Sequence, residues 1–305
     1  MEQIHATAIG GEGFMLDLRQ KCISGLLVIV CGFTVACSGG EPVPSTTPLP
    51  ETLPATEDTA PAVLEASPRH GEWVNVELPG SDVPVKTWAV YPERSGKAPI
   101  VLVIHEIYGL TEWVRAVADQ FAAEGFIAVA PDLLSGIGPN GGGTDAFGSR
   151  DEAVKAILAL EPDERTRRLD AVRAYALNIP AGSGRIGSVG FCWGGMASFA
   201  YAVDQPDLNA AVVYYGTSPA DATDFQRIKA PVLGLYGEDD ERVNATIPLA
   251  EKAMADLGRS YESIIFPGAG HGFLRAQAER EGANLRAAEQ GWMHTLTFFR
   301  EHLEH

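Results

Sequence analysis

Between residues 71 and 305, apolar runs of four to seven residues alternate with longer amphipathic stretches, and this alternation restricts the fold more than any other feature. Short runs rich in Val, Ile and Ala suit strands buried on both faces, while the stretches between them carry a helical period. The pattern predicts an α/β fold, a mostly parallel, doubly wound sheet of about eight strands flanked by helices. The expected strands lie at 73–78, 85–91, 100–104, 127–130, 186–190, 211–215, 232–236 and 263–266. Helices are expected at 112–124, 150–158, 163–177, 194–203, 245–257 and 284–302. The first two strands precede any helix and are joined by Gly80-Ser81-Asp82, so they should pair as an antiparallel hairpin at the sheet edge. Residues 135–149 hold six glycines and read as a mobile loop beside the carboxyl ends of the strands, in the position of a substrate lid.

The segment before this body has a different character. Residues 23–36 form an apolar run of 14 behind Arg19 and Lys21, short for a membrane span but matched to the apolar region of an export signal. An uncleaved anchor helix is the alternative, and translation could start at Met1 or Met15. The run ends Thr34-Val35-Ala36-Cys37, which resembles the lipobox of bacterial lipoproteins and implies lipid attachment at Cys37. Either reading places the body outside the cytoplasm. Residues 38–70, dense in Pro, Thr, Ser and Glu, read as a disordered tether without chemistry of its own. The division is therefore 1–37 signal, 38–70 linker and 71–305 the α/β domain. With 40 acidic against 23 basic side chains and a net charge of −17, a nucleic-acid partner is excluded. Three of the four cysteines fall in the first forty residues, which leaves Cys192 as the one thiol of the body.

That thiol lies in Gly190-Phe191-Cys192-Trp193-Gly194-Gly195, directly after one strand and before a helix. The motif fits the sharp turn that lifts a nucleophile above a sheet, with Cys in the nucleophile's place. A helix N-terminus at that point favours thiolate, and the thiolate is the reactive form. A base and an orienting acid should follow in chain order. The acid comes from Gly237-Glu238-Asp239-Asp240-Glu241, where Asp240 is preferred over Asp239 by its spacing from the turn glycine. The base is His271, within Gly268-Ala269-Gly270-His271-Gly272-Phe273. A third segment, His105-Glu106-Ile107-Tyr108-Gly109, lacks the second histidine of a zinc motif, so no metal is implied. Its position after a strand instead assigns the N–H of Ile107, with that of Trp193, to an oxyanion hole.

These segments, together with Pro131-Asp132-Leu133, resemble the dienelactone hydrolase family of α/β-hydrolases over about residues 72–303. The resemblance implies a Cys192–His271–Asp240 triad and a Glu106 carboxylate facing the thiol. It also implies substrate contacts from Tyr108 and from Arg275, the latter for a substrate carboxylate. The family's second carboxylate-binding arginine is missing, since Ser135-Gly136 follow the Pro-Asp-Leu segment. The expected activity is cleavage of a small ester or lactone through a cysteine acyl-enzyme, without metal or organic cofactor. A ligand-binding lipoprotein without turnover, and a thioester or peptide hydrolase, remain the alternatives.

Overall fold

β1 (Gly71–Val76) and β2 (Val85–Val90) pair antiparallel along their full length, with Trp73 opposite Trp88. β2 also runs antiparallel to β4 (Ile127–Pro131), while β3 (Ala98–Ile104) lies parallel to β4 on one side and to β5 (Gly182–Phe191) on the other. Parallel pairing continues through β6 (Ala210–Tyr214), β7 (Val232–Asp239) and β8 (Tyr261–Gly270). The computed structural model describes residues 53–304, and within them the strands form one sheet in the order β1-β2-β4-β3-β5-β6-β7-β8. The expected edge hairpin and the expected eight strands are both present.

Strand alternation divides the core in two. Val101 and Val103 of β3 face one apolar cluster, shared with α2 (Glu112–Ala123) and α8 (Ala283–Leu303). Ile100, Leu102 and Ile104 face the other, shared with α4 (Pro162–Leu177), α5 (Trp193–Asp204) and α7 (Ile247–Asp256). Every residue of β3 is buried, so its unbroken apolar run is a consequence of being covered on both sides. The helix expected over 245–257 is α7, which carries Pro248 in its first turn, and a separate short helix, α6 (Glu241–Asn244), precedes it. Proline is suited to that position because an N–H there has no helical partner to lose.

Two expectations are corrected. The glycine-rich loop is pinned at its middle by Thr144, whose N–H and Oγ1 donate to the two carboxylate oxygens of buried Asp132, each at 2.7 Å. Thr144 Oγ1 also accepts from the N–H of Leu110 at 3.0 Å. A Cβ on Gly143 would stand 2.1 Å from Asp132 Oδ2, so this glycine serves close approach rather than mobility. The linker expected over 38–70 also ends early. Residues 53–70 lie on the domain and include α1 (Ala60–Ala66), with Ala60 fully buried in the α2–α8 layer. Ala55 O accepts from Trp113 Nε1 at 2.9 Å, and Pro54 O accepts from Gln277 Nε2 at 2.9 Å. The signal segment, Cys37 and the rest of the linker lie outside the described residues.

Candidate active site

The carboxyl ends of the parallel strands gather the site, each loop contributing one or two side chains. Between β5 and α5, Cys192 holds φ 56° and ψ −116°, a conformation that side-chain-bearing residues seldom adopt. The residues two positions away on either side must be glycine. A Cβ on Gly190 would lie 1.8 Å from the carbonyl oxygen of Gly194, and one on Gly194 would lie 2.3 Å from that of His105. The turn is fixed from the other side by the Cys192 N–H, which donates to Tyr214 O at 3.1 Å. Trp193 opens α5, so its N–H is one of those for which the helix supplies no acceptor.

His271 follows β8, and its Nδ1 lies 2.6 Å from Asp240 Oδ2. The geometry distinguishes the four clustered acids. Asp239 pairs with Arg280, Glu238 accepts from the N–H of Gly268 at 2.8 Å, and Glu241 is exposed at the start of α6. Asp240 alone among them reaches the imidazole. Burial lowers the pKa of His271, but its bonds to Asp240 and to the Cys192 thiol outweigh that and hold it at about 9. The ring is also met edge-on by Tyr215, with centroids 5.1 Å apart.

Glu106 follows β3 and is buried, with Oε2 3.0 Å from Arg275 Nε. Burial pushes its carboxyl up to about 7 against the opposing pull of Arg275 and His271. The guanidinium expected to await a substrate carboxylate is thus already paired, and Glu57 holds it from a second side. Tyr108 receives the guanidinium groups of both Arg275, at 5.6 Å, and Arg150, at 5.0 Å from its ring centre. Ile107 lies in the tight turn between them, closed by the Gly109 N–H donating to Glu106 O at 3.1 Å. His105, fully buried, uses both ring nitrogens internally. Nε2 accepts from the Leu133 N–H at 3.2 Å, so Nδ1 carries the proton toward Glu106 O at 2.8 Å, and burial holds the ring neutral by lowering its pKa.

The structure therefore brings Cys192, Asp240, His271, Glu106, Ile107, Trp193, Tyr108 and Arg275 to one end of the sheet. Three further residues of that region escaped the sequence reading. Glu57 and Arg150 gave no local signal. Tyr215 offered one, as the second tyrosine of Tyr214-Tyr215-Gly216 at a strand end. Its φ is 39°, its phenol is fully buried without a hydrogen-bond partner, and Glu106 and Cys192 both help to hold the phenol protonated.

Comparison with known proteins agrees with this architecture. The sequence pattern of the dienelactone hydrolase family matches residues 85–303. A Methylorubrum extorquens protein named "Putative carboxymethylenebutenolidase" is 30% identical over 239 residues, 74% of this chain and 80% of its own. A protein of the same name from Escherichia coli K12 is 29% identical over 271 residues, 85% of this chain and 94% of its own. The crystal structure of the "Putative Dienelactone Hydrolase" of Klebsiella pneumoniae aligns with a TM-score of 0.66 at 26% identity, covering 76% of this chain and 98% of that one. With more than two hundred residues matched by the family's sequence pattern, this chain belongs to the dienelactone hydrolase family.

Proposed function

We propose that the protein cleaves a small carboxylic ester or lactone through a covalent thioester on Cys192. The single observation that carries this reading is the strained backbone of Cys192 beside a histidine whose far nitrogen is bonded to Asp240 at 2.6 Å. Strain of this kind persists where the surrounding fold enforces it, and here it presents a thiol to a base. With a pKa of about 9, His271 holds the Cys192 proton as the imidazolium of an ion pair at neutral pH, and in the first half-reaction the sulfur attacks the substrate carbonyl carbon. The N–H groups of Ile107 and Trp193 would receive the developing oxyanion. Collapse expels the alcohol oxygen, which takes the proton from His271. Water, deprotonated by the same imidazole, then attacks the thioester and releases the acid and the free thiol. Asp240 keeps the proton-bearing Nδ1 of His271 aligned throughout. The tether side of the proposal, export and lipid attachment at Cys37, is supported by the sequence alone.

The test is a panel of p-nitrophenyl esters and small lactones followed by intact-protein mass measurement. An acyl increment that maps to Cys192 and is lost in Cys192→Ala is the expected result. Turnover that survives both that substitution and thiol alkylation would overturn the reading.

A further inference from the structure

Arg150 stands at the start of α3 (Arg150–Leu158) and Arg275 in the loop after β8, yet both guanidinium groups converge on the ring of Tyr108 beside the Cys192 site. Two guanidinium groups from separate elements make a seat for one carboxylate, each taking an oxygen. In this fold the seat is filled from within. Glu57 Oε1 pairs with Arg150 and Glu57 Oε2 with Arg275, while the Glu57 N–H donates to Arg275 O at 3.3 Å. The bonds of Pro54 and Ala55 to Gln277 and Trp113 hold the strap in place independently of any charge. Although partial burial opposes ionisation of Glu57, its two arginines hold its pKa below the usual carboxylate range.

We propose that Glu57 is a specificity-determining residue: it occupies the Arg150–Arg275 seat, so that the site accepts uncharged esters or lactones and rejects those bearing a carboxylate on the Tyr108 side. This rests on the hydrolase reading above. The pairing geometry supports it, because Glu57 engages both guanidinium groups at once and Glu106 Oε2 lies 3.0 Å from Arg275 Nε, so neither arginine is left unpartnered for a substrate anion. An incoming carboxylate must displace one that is covalently tethered and prepositioned, and an intramolecular competitor acts at an effective concentration on the order of millimolar or more. It must also approach the like charge of Glu57.

The experiment compares kcat/KM for p-nitrophenyl butyrate with that for the mono-p-nitrophenyl esters of succinate, glutarate and adipate, in the unmodified protein, Glu57→Gln and Glu57→Asp. Glu57→Gln should raise the charged-to-neutral ratio by about 10- to 100-fold for at least one chain length, the worth of a charge-assisted pair. Glu57→Asp, which keeps the charge but withdraws it by one methylene, should give a smaller rise and remains informative if the Gln variant folds poorly. Glutarate binding is measured by calorimetry in Cys192→Ala with and without Glu57→Gln, and should be gained only in the double variant. An unchanged ratio with no gain of binding overturns the proposal, as does a preference of the unmodified protein for the charged esters. Gained binding without hydrolysis of any ester would keep the seat and sink the hydrolase reading instead.

Discussion

Glu106 is the residue whose environment departs furthest from what its type prefers, a carboxylate fully buried against one guanidinium beside a histidine. Its pKa of about 7 against an ordinary 4.5 means that the folded state favours the protonated form. A raised carboxyl pKa contributes stability that is present in full below about pH 4.5 and is lost as pH rises through about 7. Glu106→Gln mimics the protonated side chain and removes this titration. The two proteins should therefore unfold at similar temperatures at pH 5, while at pH 8 the variant should be more stable by on the order of 3 kcal/mol. Thermal unfolding across pH 5–8 checks this, and parallel curves for the two proteins would refute it. The raised pKa of His271 has the same sign but acts higher, its contribution being lost as pH rises through about 9, so the two windows can be separated. The sequence located Glu106 by its place after a strand, but its partner Arg275 lies far along the chain, and their pairing is a tertiary event.

At the scale of elements, the strap of residues 53–70 changes what counts as the domain. Ser67 Oγ donates to Asp119 Oδ1 at 2.6 Å, and Arg69 pairs with Asp119 Oδ2. Asp119 is 3% exposed, so a fragment beginning at residue 71 would leave a buried carboxylate without either partner. It would also uncover the pocket filled by Ala60. An unsatisfied buried charge costs upwards of about 1–3 kcal/mol, and with the lost apolar contact the fragment from 71 should melt about 5–10 °C below one from 53. Equal melting temperatures would show that the strap contributes nothing to stability. The strands were legible because a doubly covered strand must be continuously apolar, and the turn at Cys192 because glycine is required on both sides of it. The strap was not legible. Its composition is that of a disordered linker, and its contacts reach up to 223 residues along the chain, as from Pro54 to Gln277. Local composition carries no record of a partner so distant, and the same holds for Arg150, which reads as the first charge of a surface helix.

For the whole molecule, fixing the strap to the domain shortens the segment proposed as its tether. If Cys37 carries lipid, fifteen residues, 38–52, remain between the attachment point and the described domain, where the sequence reading allowed thirty-three. Covalent geometry limits fifteen residues to about 50 Å, roughly the diameter of the domain itself, so the site would work close to the membrane surface. A chain of net charge −17 would gain nothing electrostatically from an anionic lipid surface. Among the described residues, no helix is long and apolar enough to cross a membrane. The proposed attachment would come from acyl chains on Cys37 or from the segment at 23–36, and the two are separable by substitution. Cys37→Ala should move the protein from the membrane to the soluble fraction, since two or more acyl chains anchor stably and their loss leaves a weakly repelled protein. The unmodified protein should stay bound in 1 M NaCl, because no ion pairing holds it. If Cys37→Ala remains in the membrane after an alkaline carbonate wash, residues 23–36 are a spanning anchor and the lipid proposal fails. If it is released, the lipid supplies the attachment, and the short tether confines hydrolysis to substrates that reach the membrane face.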